Sequence, residues 1–254
     1  MTGRLAIVGL GPGDDRYLTP EAREALDGAD ALYGYGPYLD RVPERCGQAR
    51  HESGNRVEGA RAEAALRDAA SGAQVAMVSG GDPGVFAMAS AVCGEIEAGP
   101  ESWRTLDVVV VPGITAMLMV AARAGAPLGH DFCAMSLSDN LKPWDLIERR
   151  LDAAASAGFV IALYNPISKA RPWQLGEAFT RLARHLAPTT PVVFGRAAGR
   201  DDEAMTITTL DQAHDVKADM ATLVIVGSPE TRVIARQGHA PLVYTPRTAA
   251  AVSA

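Results

Sequence analysis

A chain of 254 residues, 48% of them hydrophobic and with a mean hydropathy of +0.02, has the length and apolar content for one large domain or two smaller ones with well-formed cores. Its formal net charge of −6 argues against general nucleic-acid binding, which needs a basic surface to neutralise phosphates, but leaves room for a local basic pocket. Cys46, Cys93 and Cys133 are scattered without a C-x-x-C pair, so neither a disulfide framework nor a metal site is expected. No apolar run approaches the ~20 residues that span a bilayer, and no basic-then-apolar leader pattern precedes the first strand. The expectation is a cytoplasmic protein with no membrane partner.

The first half alternates strand and helix. Leu5–Val8, Ala31–Tyr33, Gln74–Val78 and Leu106–Val111 read as strands, with helices over Pro20–Leu26, Glu58–Ala70, Val85–Glu97 and Ile114–Ala124. Thr19-Pro20-Glu21 is a helix start: an N-cap hydroxyl, a proline in the first turn and an acid at the positive dipole end. The alternation predicts a mainly parallel sheet covered on both faces, and the near-continuous apolar runs Leu5–Val8 and Leu106–Val111 predict burial on both sides. Gly125-Ala126-Pro127-Leu128-Gly129 reads as a boundary, because both glycines and the proline disfavour continuing the preceding helix.

Beyond it come strands at Asp131–Leu137 and Phe159–Leu163 and helices at Pro143–Ala157 and Pro172–Leu186. More β-like stretches follow at Val192–Gly195, Met205–Thr208, Leu223–Val226 and Leu242–Tyr244. Several of these lack intervening helices, which predicts a mixed, partly antiparallel sheet. The expected class is α/β, with an N-terminal domain over 1–126, a C-terminal domain over 127–247 and a disordered tail at 248–254.

Four glycine- or proline-rich turns follow predicted strands: Gly9–Asp14, Ser79-Gly80-Gly81-Asp82-Pro83, Pro112-Gly113-Ile114-Thr115-Ala116 and Tyr164-Asn165-Pro166. Turns at the carboxyl ends of strands are where open α/β sheets bind ligands, and glycine lets a ligand approach the backbone. Gly9–Asp14 is neither a Walker loop nor G-x-G-x-x-G: no Gly-Lys-Ser/Thr follows, Asp14 replaces the third glycine, and Pro12 removes an N–H. Asp14 and Asp15 would repel a phosphate. Asp82 offers an acceptor for hydroxyl or ammonium donors.

In combination, Val8-Gly9-Leu10-Gly11-Pro12-Gly13-Asp14, Gly81-Asp82-Pro83 and Pro112-Gly113-Ile114-Thr115-Ala116 resemble the motifs of the tetrapyrrole (corrin/porphyrin) S-adenosylmethionine methyltransferases, over about residues 3–246. Ser79–Phe86, Gly129–Asp139 with Pro143-Trp144, and Tyr164-Asn165-Pro166 resemble the precorrin-3B C17-methyltransferase branch of that family. The resemblance implies a two-domain fold with S-adenosylmethionine in the interdomain cleft, leaving as S-adenosylhomocysteine, and a homodimer. It implies cofactor contacts at Pro12, Gly80, Gly81, Asp82, Val85, Thr115 and Ala116, and at Tyr164, Asn165, Ala197 and Ala198. It implies methylation of a precorrin at C17 with ring contraction, precorrin-3B to precorrin-4, in cobalamin biosynthesis.

Methyl transfer from a sulfonium needs positioning and little acid–base help, whereas loss of a hydroxyl proton during ring contraction favours a general base. His130, Asp131 and Asp139 are candidates by location. A polycarboxylate substrate calls for arginines, and Arg41, Lys169 and Arg171 are the expected substrate-binding residues, each following a turn near a strand end. A methyltransferase for another tetrapyrrole position or for the cobalt-containing equivalent, and a non-catalytic tetrapyrrole carrier, stay open.

Overall fold

The computed structural model describes residues 3–55 and 57–248, so the expected tail, apart from Thr248, lies outside the described residues. The chain divides into two compact units, Met1–Thr115 and Ala116–Ala254.

The first unit runs β1 (Arg4–Gly9), α1 (Pro20–Asp27), β2 (Ala31–Tyr35), α2 (Gly36–Leu39), β3 (Ala49–Ser53), α3 (Glu58–Ala70), β4 (Gln74–Ser79), α4 (Met88–Ala98) and β5 (Asp107–Val111). The strands form one five-stranded parallel sheet in the order β3-β2-β4-β1-β5. Successive residues of β1 go to opposite faces, as the strand period requires. Leu5 and Ile7 join a core with Ala62, Leu66 and Val92, while Ala6 and Val8 join another with Ala22, Leu26 and Leu32. Thr19 caps α1 as its sequence predicts, its hydroxyl accepting from the Ala22 N–H at 3.1 Å.

Three expectations for this unit change. β5 is an edge strand paired only with β1, and Val110 is 49% exposed, so the apolar run there does not mean burial on both sides. β3 was not expected, because Ala49-Arg50-His51-Glu52-Ser53 is polar; an edge strand is held by its ladder to β2 and needs no apolar face. Helix α4 starts at Met88 rather than Val85, since Pro83-Gly84-Val85-Phe86 turns before the helix begins.

The second unit runs α5 (Ala116–Ala124), β6 (Gly125–Ala126), β7 (Phe132–Ser136), α6 (Trp144–Ser156), β8 (Val160–Tyr164), α7 (Gln174–Leu182), β9 (Pro191–Arg196), β10 (Ala204–Thr209), β11 (Thr222–Val226), β12 (Arg232–Arg236) and β13 (His239–Tyr244). A mixed five-stranded sheet has the order β10-β9-β11-β8-β7, and a smaller sheet has the order β12-β13-β6. Helices α6 and α7 cover one face of the larger sheet, where Ile147, Leu151, Phe179 and Leu182 pack with Ile161, Leu163, Phe194 and Val224.

The division falls ahead of the expected 126/127 boundary because α5 packs on β9, β10, β11 and β13. Val120 of this helix occupies the space that a side chain at Gly195 would need, with Cγ2 2.3 Å from the ideal Cβ position. The Gly125–Gly129 stretch is therefore not a linker. It pairs with β13 and is tied by Thr245, whose N–H donates to the Ala126 carbonyl at 3.1 Å and whose hydroxyl donates to that of Pro127 at 2.6 Å.

Candidate functional site

In the first unit β1 lies between β4 and β5, so the three turns that leave these strands emerge side by side at the carboxyl edge of the sheet. They interlock through backbone. The Gly11 N–H donates to the Gly81 carbonyl at 3.1 Å, and the Gly81 N–H donates to the Gly11 carbonyl at 2.9 Å. A Cβ on Gly9 would fall 2.8 Å from the Gly81 oxygen, and one on Gly113 would fall 2.2 Å from the same atom. Glycine at positions 9 and 113 is thus required by the meeting of the turns themselves. Gly80 makes room for the Tyr38 ring, 2.7 Å from where its Cβ would stand.

Asp82 closes this arrangement. Its Oδ1 accepts from the Gly84 N–H at 2.8 Å and its Oδ2 from the Gly113 N–H at 3.1 Å, clipping the second turn to the third. Thr115 is buried at the end of the third turn, and Pro12 is buried in the first. The acids of the first turn are matched locally: the Arg16 backbone N–H and guanidinium hold the Asp14 carboxyl below the usual carboxylate range, and Arg23 lies 3.6 Å from Asp15. The acceptors of these turns are carboxylates and carbonyls, most of them already engaged by the N–H groups of the neighbouring turns and by arginines.

Arg41 stands in a different place from the one expected. Its Nη2 donates to the carbonyls of Leu10 at 2.7 Å, Gly11 at 3.1 Å and Gly13 at 2.9 Å, so the guanidinium is committed to the first turn.

In the second unit β8 runs parallel to β7, and β9 runs antiparallel to β11, which is antiparallel to β8. The carboxyl ends of β7, β8 and β9 therefore share one edge of the sheet. Tyr164, Asn165, Ala197, Ala198, Asp139, Lys169 and Arg171 all follow from that edge. The Asn165 amide donates to the Ser136 hydroxyl at 2.9 Å, and the Tyr164 hydroxyl accepts from the Met117 N–H at 3.2 Å. Arg171 Nη1 donates to Asp139 Oδ1 at 2.6 Å, and the Gln174 amide donates to the same oxygen at 2.9 Å. Two residues expected to act separately, one as base and one on substrate, are thus a half-buried ion pair. Lys169 is exposed and carries no ion pair among the described residues.

His130 and Asp131 precede β7, whereas Asp139 follows it, so the strand separates the candidate bases by its whole length. His130 Nδ1 accepts from the Asp131 N–H at 2.7 Å, so that nitrogen is already engaged by the neighbouring backbone. The Asp131 side chain is 81% exposed. The structure thus sets His130 and Asp131 apart from the edge where the other candidates gather, and it keeps Asp139 there.

One feature of the site escaped sequence reasoning. Among the described residues, the non-glycine positions with left-handed backbone are Phe86 (φ 53°), Asn165 (φ 50°) and Ala197 (φ 49°). Each sits in the segment leaving the carboxyl end of a strand: β4, β8 and β9. Such conformations cost about 1–3 kcal/mol each and persist where the surroundings impose them, which occurs most at binding and active sites. Phe86 is also 52% exposed. The Pro83-Gly84 pair before it was the available signal, since it marks a turn and not a helix start.

Among the described residues no group of three or more His, Cys, Asp or Glu could hold a metal ion, and no helix is long and apolar enough to cross a membrane. The family model for tetrapyrrole (corrin/porphyrin) methylases matches residues 4–214. A Sinorhizobium sp protein named precorrin-3B C(17)-methyltransferase is 61% identical over 253 residues, spanning 100% of both chains. A solved structure of the methyltransferase CobJ aligns with a TM-score of 0.89 at 46% identity, covering 96% of this chain and 100% of that one. A solved uroporphyrin-III C-methyl transferase from Thermus thermophilus, complexed with S-adenyl homocysteine, has the same fold, with a TM-score of 0.68 at 23% identity over 89% of this chain and 97% of that one.

Proposed function

Because the chain belongs to the tetrapyrrole (corrin/porphyrin) methylases, we propose that it methylates precorrin-3B at C17, with ring contraction to precorrin-4, in cobalamin biosynthesis. The observation that carries this reading is the 61% identity, over the full length of both chains, to a protein named precorrin-3B C(17)-methyltransferase; the interlocked turns at the ends of β1, β4 and β5 support it as a backbone platform for the cofactor. S-adenosylmethionine, when bound, supplies a methyl group that its sulfonium has already made electrophilic. The protein then has to hold the two reactants in line and exclude water, which a platform of backbone and small residues does without a catalytic triad.

The residues fit that cofactor. The cofactor carries an ammonium, a carboxylate, a sulfonium and ribose hydroxyls and no phosphate, so it needs acceptors for its donors and N–H groups for its carboxylate, both of which turns of backbone and small residues can supply. In this reading Pro12, Gly80, Gly81, Asp82, Val85, Thr115 and Ala116 contact the cofactor in the first unit, and Tyr164, Asn165, Ala197 and Ala198 in the second. The strained backbone at Asn165 and Ala197 supports the latter set. Asp139 is the remaining candidate base for ring contraction, with Arg171 and Gln174 fixing its carboxylate. Lys169, exposed two residues before Arg171, is the cation left for a substrate carboxylate.

The working form is a cytoplasmic homodimer. Three free cysteines, Cys46 and Cys93 exposed and Cys133 half-buried, suit a reducing compartment.

The deciding experiment incubates the protein with methyl-labelled S-adenosylmethionine and precorrin-3B, and in parallel with its cobalt-containing counterpart, and locates the label by NMR. Label at C17 of a ring-contracted, cobalt-free product is expected. Asp139→Asn should keep S-adenosylhomocysteine affinity and slow contraction by ~10²–10⁴-fold. Label at another carbon, or only on the cobalt-containing compound, overturns the substrate assignment; binding without transfer makes the chain a carrier.

A further inference from the structure

We infer that Arg41 is a positioning residue for the Gly9–Asp14 turn, and through that turn for the cofactor, and that it is not a substrate-binding arginine. The inference rests on the cofactor reading given above.

The Leu10, Gly11 and Gly13 carbonyls all point at one nitrogen, Nη2 of Arg41, at 2.7, 3.1 and 2.9 Å. Three carbonyl dipoles converging on a point repel one another unless a cation sits there. Leu10 and Gly11 are buried, so water is poorly placed to replace the guanidinium; its loss takes the side-chain partner from the shielded Leu10 carbonyl and leaves the Gly11 carbonyl with the Gly81 N–H alone. A chain with these carbonyl directions also has its N–H directions set, because each peptide unit is planar. The Gly11 N–H is the one that meets the Gly81 carbonyl, and Gly11 holds a φ of +66°. The guanidinium therefore keeps the first turn in register with the second, and Pro12 stands between two of the peptides it orients.

Arg41 is itself held from behind. Its N–H donates to the Tyr38 carbonyl at 3.2 Å, and the next N–H, of buried Val42, donates to that of Leu39 at 2.8 Å. Its position is set by the first unit, with no substrate needed. The side chain also lines an open cavity of about 260 Å³ with Leu10, Leu18 and Leu26. The other arginines on that cavity are matched by acids, Arg23 with Asp15 at 3.6 Å and Arg45 with Asp27 at 2.8 Å. The cavity thus offers a small cation access to the place of a truncated Arg41 side chain, and its other arginines are already paired with acids.

The test compares wild type, Arg41→Ala and Arg41→Lys by calorimetry with S-adenosylhomocysteine and by steady-state kinetics with precorrin-3B. Arg41→Ala should raise the S-adenosylhomocysteine Kd at least ~10-fold while the precorrin KM at saturating cofactor stays within about twofold. Arg41→Lys should fall between, because an ammonium keeps the charge without the planar fork. Methylguanidinium at tens of millimolar should restore part of the affinity of the alanine variant, where urea at the same concentration does not; a merely structural deletion gives no such rescue. If the alanine variant does not fold, Arg41→Lys and Arg41→Gln carry the same comparison. An unchanged Kd with a precorrin KM raised more than about fivefold returns Arg41 to the substrate, and no change in either removes it from the site. Failure of wild type to bind S-adenosylhomocysteine overturns the cofactor reading itself, and this inference with it.

Discussion

Asp82 serves its turns directly: both carboxylate oxygens accept backbone N–H groups, from Gly84 and Gly113. Its removal should act on the shape of the site as well as on any ligand contact. Asp82→Ala is expected to weaken S-adenosylhomocysteine binding by about 1–3 kcal/mol, the scale for losing a charged hydrogen-bond partner. Amide exchange at Gly84 and Gly113 should speed up in the same variant. Unchanged exchange and an unchanged Kd in a folded variant would remove Asp82 from both roles. At this scale the glycine turns, Asp82 and Asn165 were legible as site candidates because turn chemistry is local. The destination of Arg41 was not, since its partners lie 28–31 residues away in the chain. Nor was the neutralisation of Asp139, whose partner Arg171 is 32 residues away.

Elements formed where periodicity was strong and were misjudged where pairing alone decides. The α3 and α7 faces could be read from apolar spacing: Ala62, Ala65, Leu66 and Ala69 on one, and Leu175, Ala178, Phe179 and Leu182 on the other, are all buried. Strands β3 and β12 could not, because an edge strand with exposed side chains carries little pattern. The α6–α7 pair is also joined by charge. Asp152 of α6 lies 2.9 Å from Arg181 of α7 and 3.0 Å from His185 just beyond it. Burial raises the Asp152 pKa, but hydrogen bonds from His185 and Arg181 outweigh burial and hold it below the ordinary carboxylate value. A depressed folded-state pKa adds stability above the unfolded pKa, near 4, and that stability disappears as pH falls through the folded value. Asp152→Asn should therefore lower stability by on the order of 1 kcal/mol at neutral pH, with the difference from wild type closing as pH falls through the folded value. Thermal melts of both proteins across that range check it; a gap independent of pH would mean that packing, not charge, accounts for the loss.

For the molecule as a whole, a ligand that binds only the folded state stabilises it by mass action. S-adenosylhomocysteine at about 100 times its Kd should add ~2.7 kcal/mol and raise Tm by about 5–10 °C, whereas ATP and NAD should leave it unchanged. A shift with ATP or NAD and none with S-adenosylhomocysteine would overturn the cofactor assignment. The α/β class, the parallel first sheet, the mixed second sheet and the family were determined by the sequence alone, through hydrophobic period, turn residues and motif order, all of which are properties of neighbouring residues. Tertiary structure decided the rest. It moved α5 into the second unit through the fit of Val120 against Gly195, and it made a packed strand of the Gly125–Gly129 stretch. Which stretches pair with one another, and which distant carbonyl a long side chain reaches, depend on the sheet's pairing and on burial, and no local pattern in the chain encodes them.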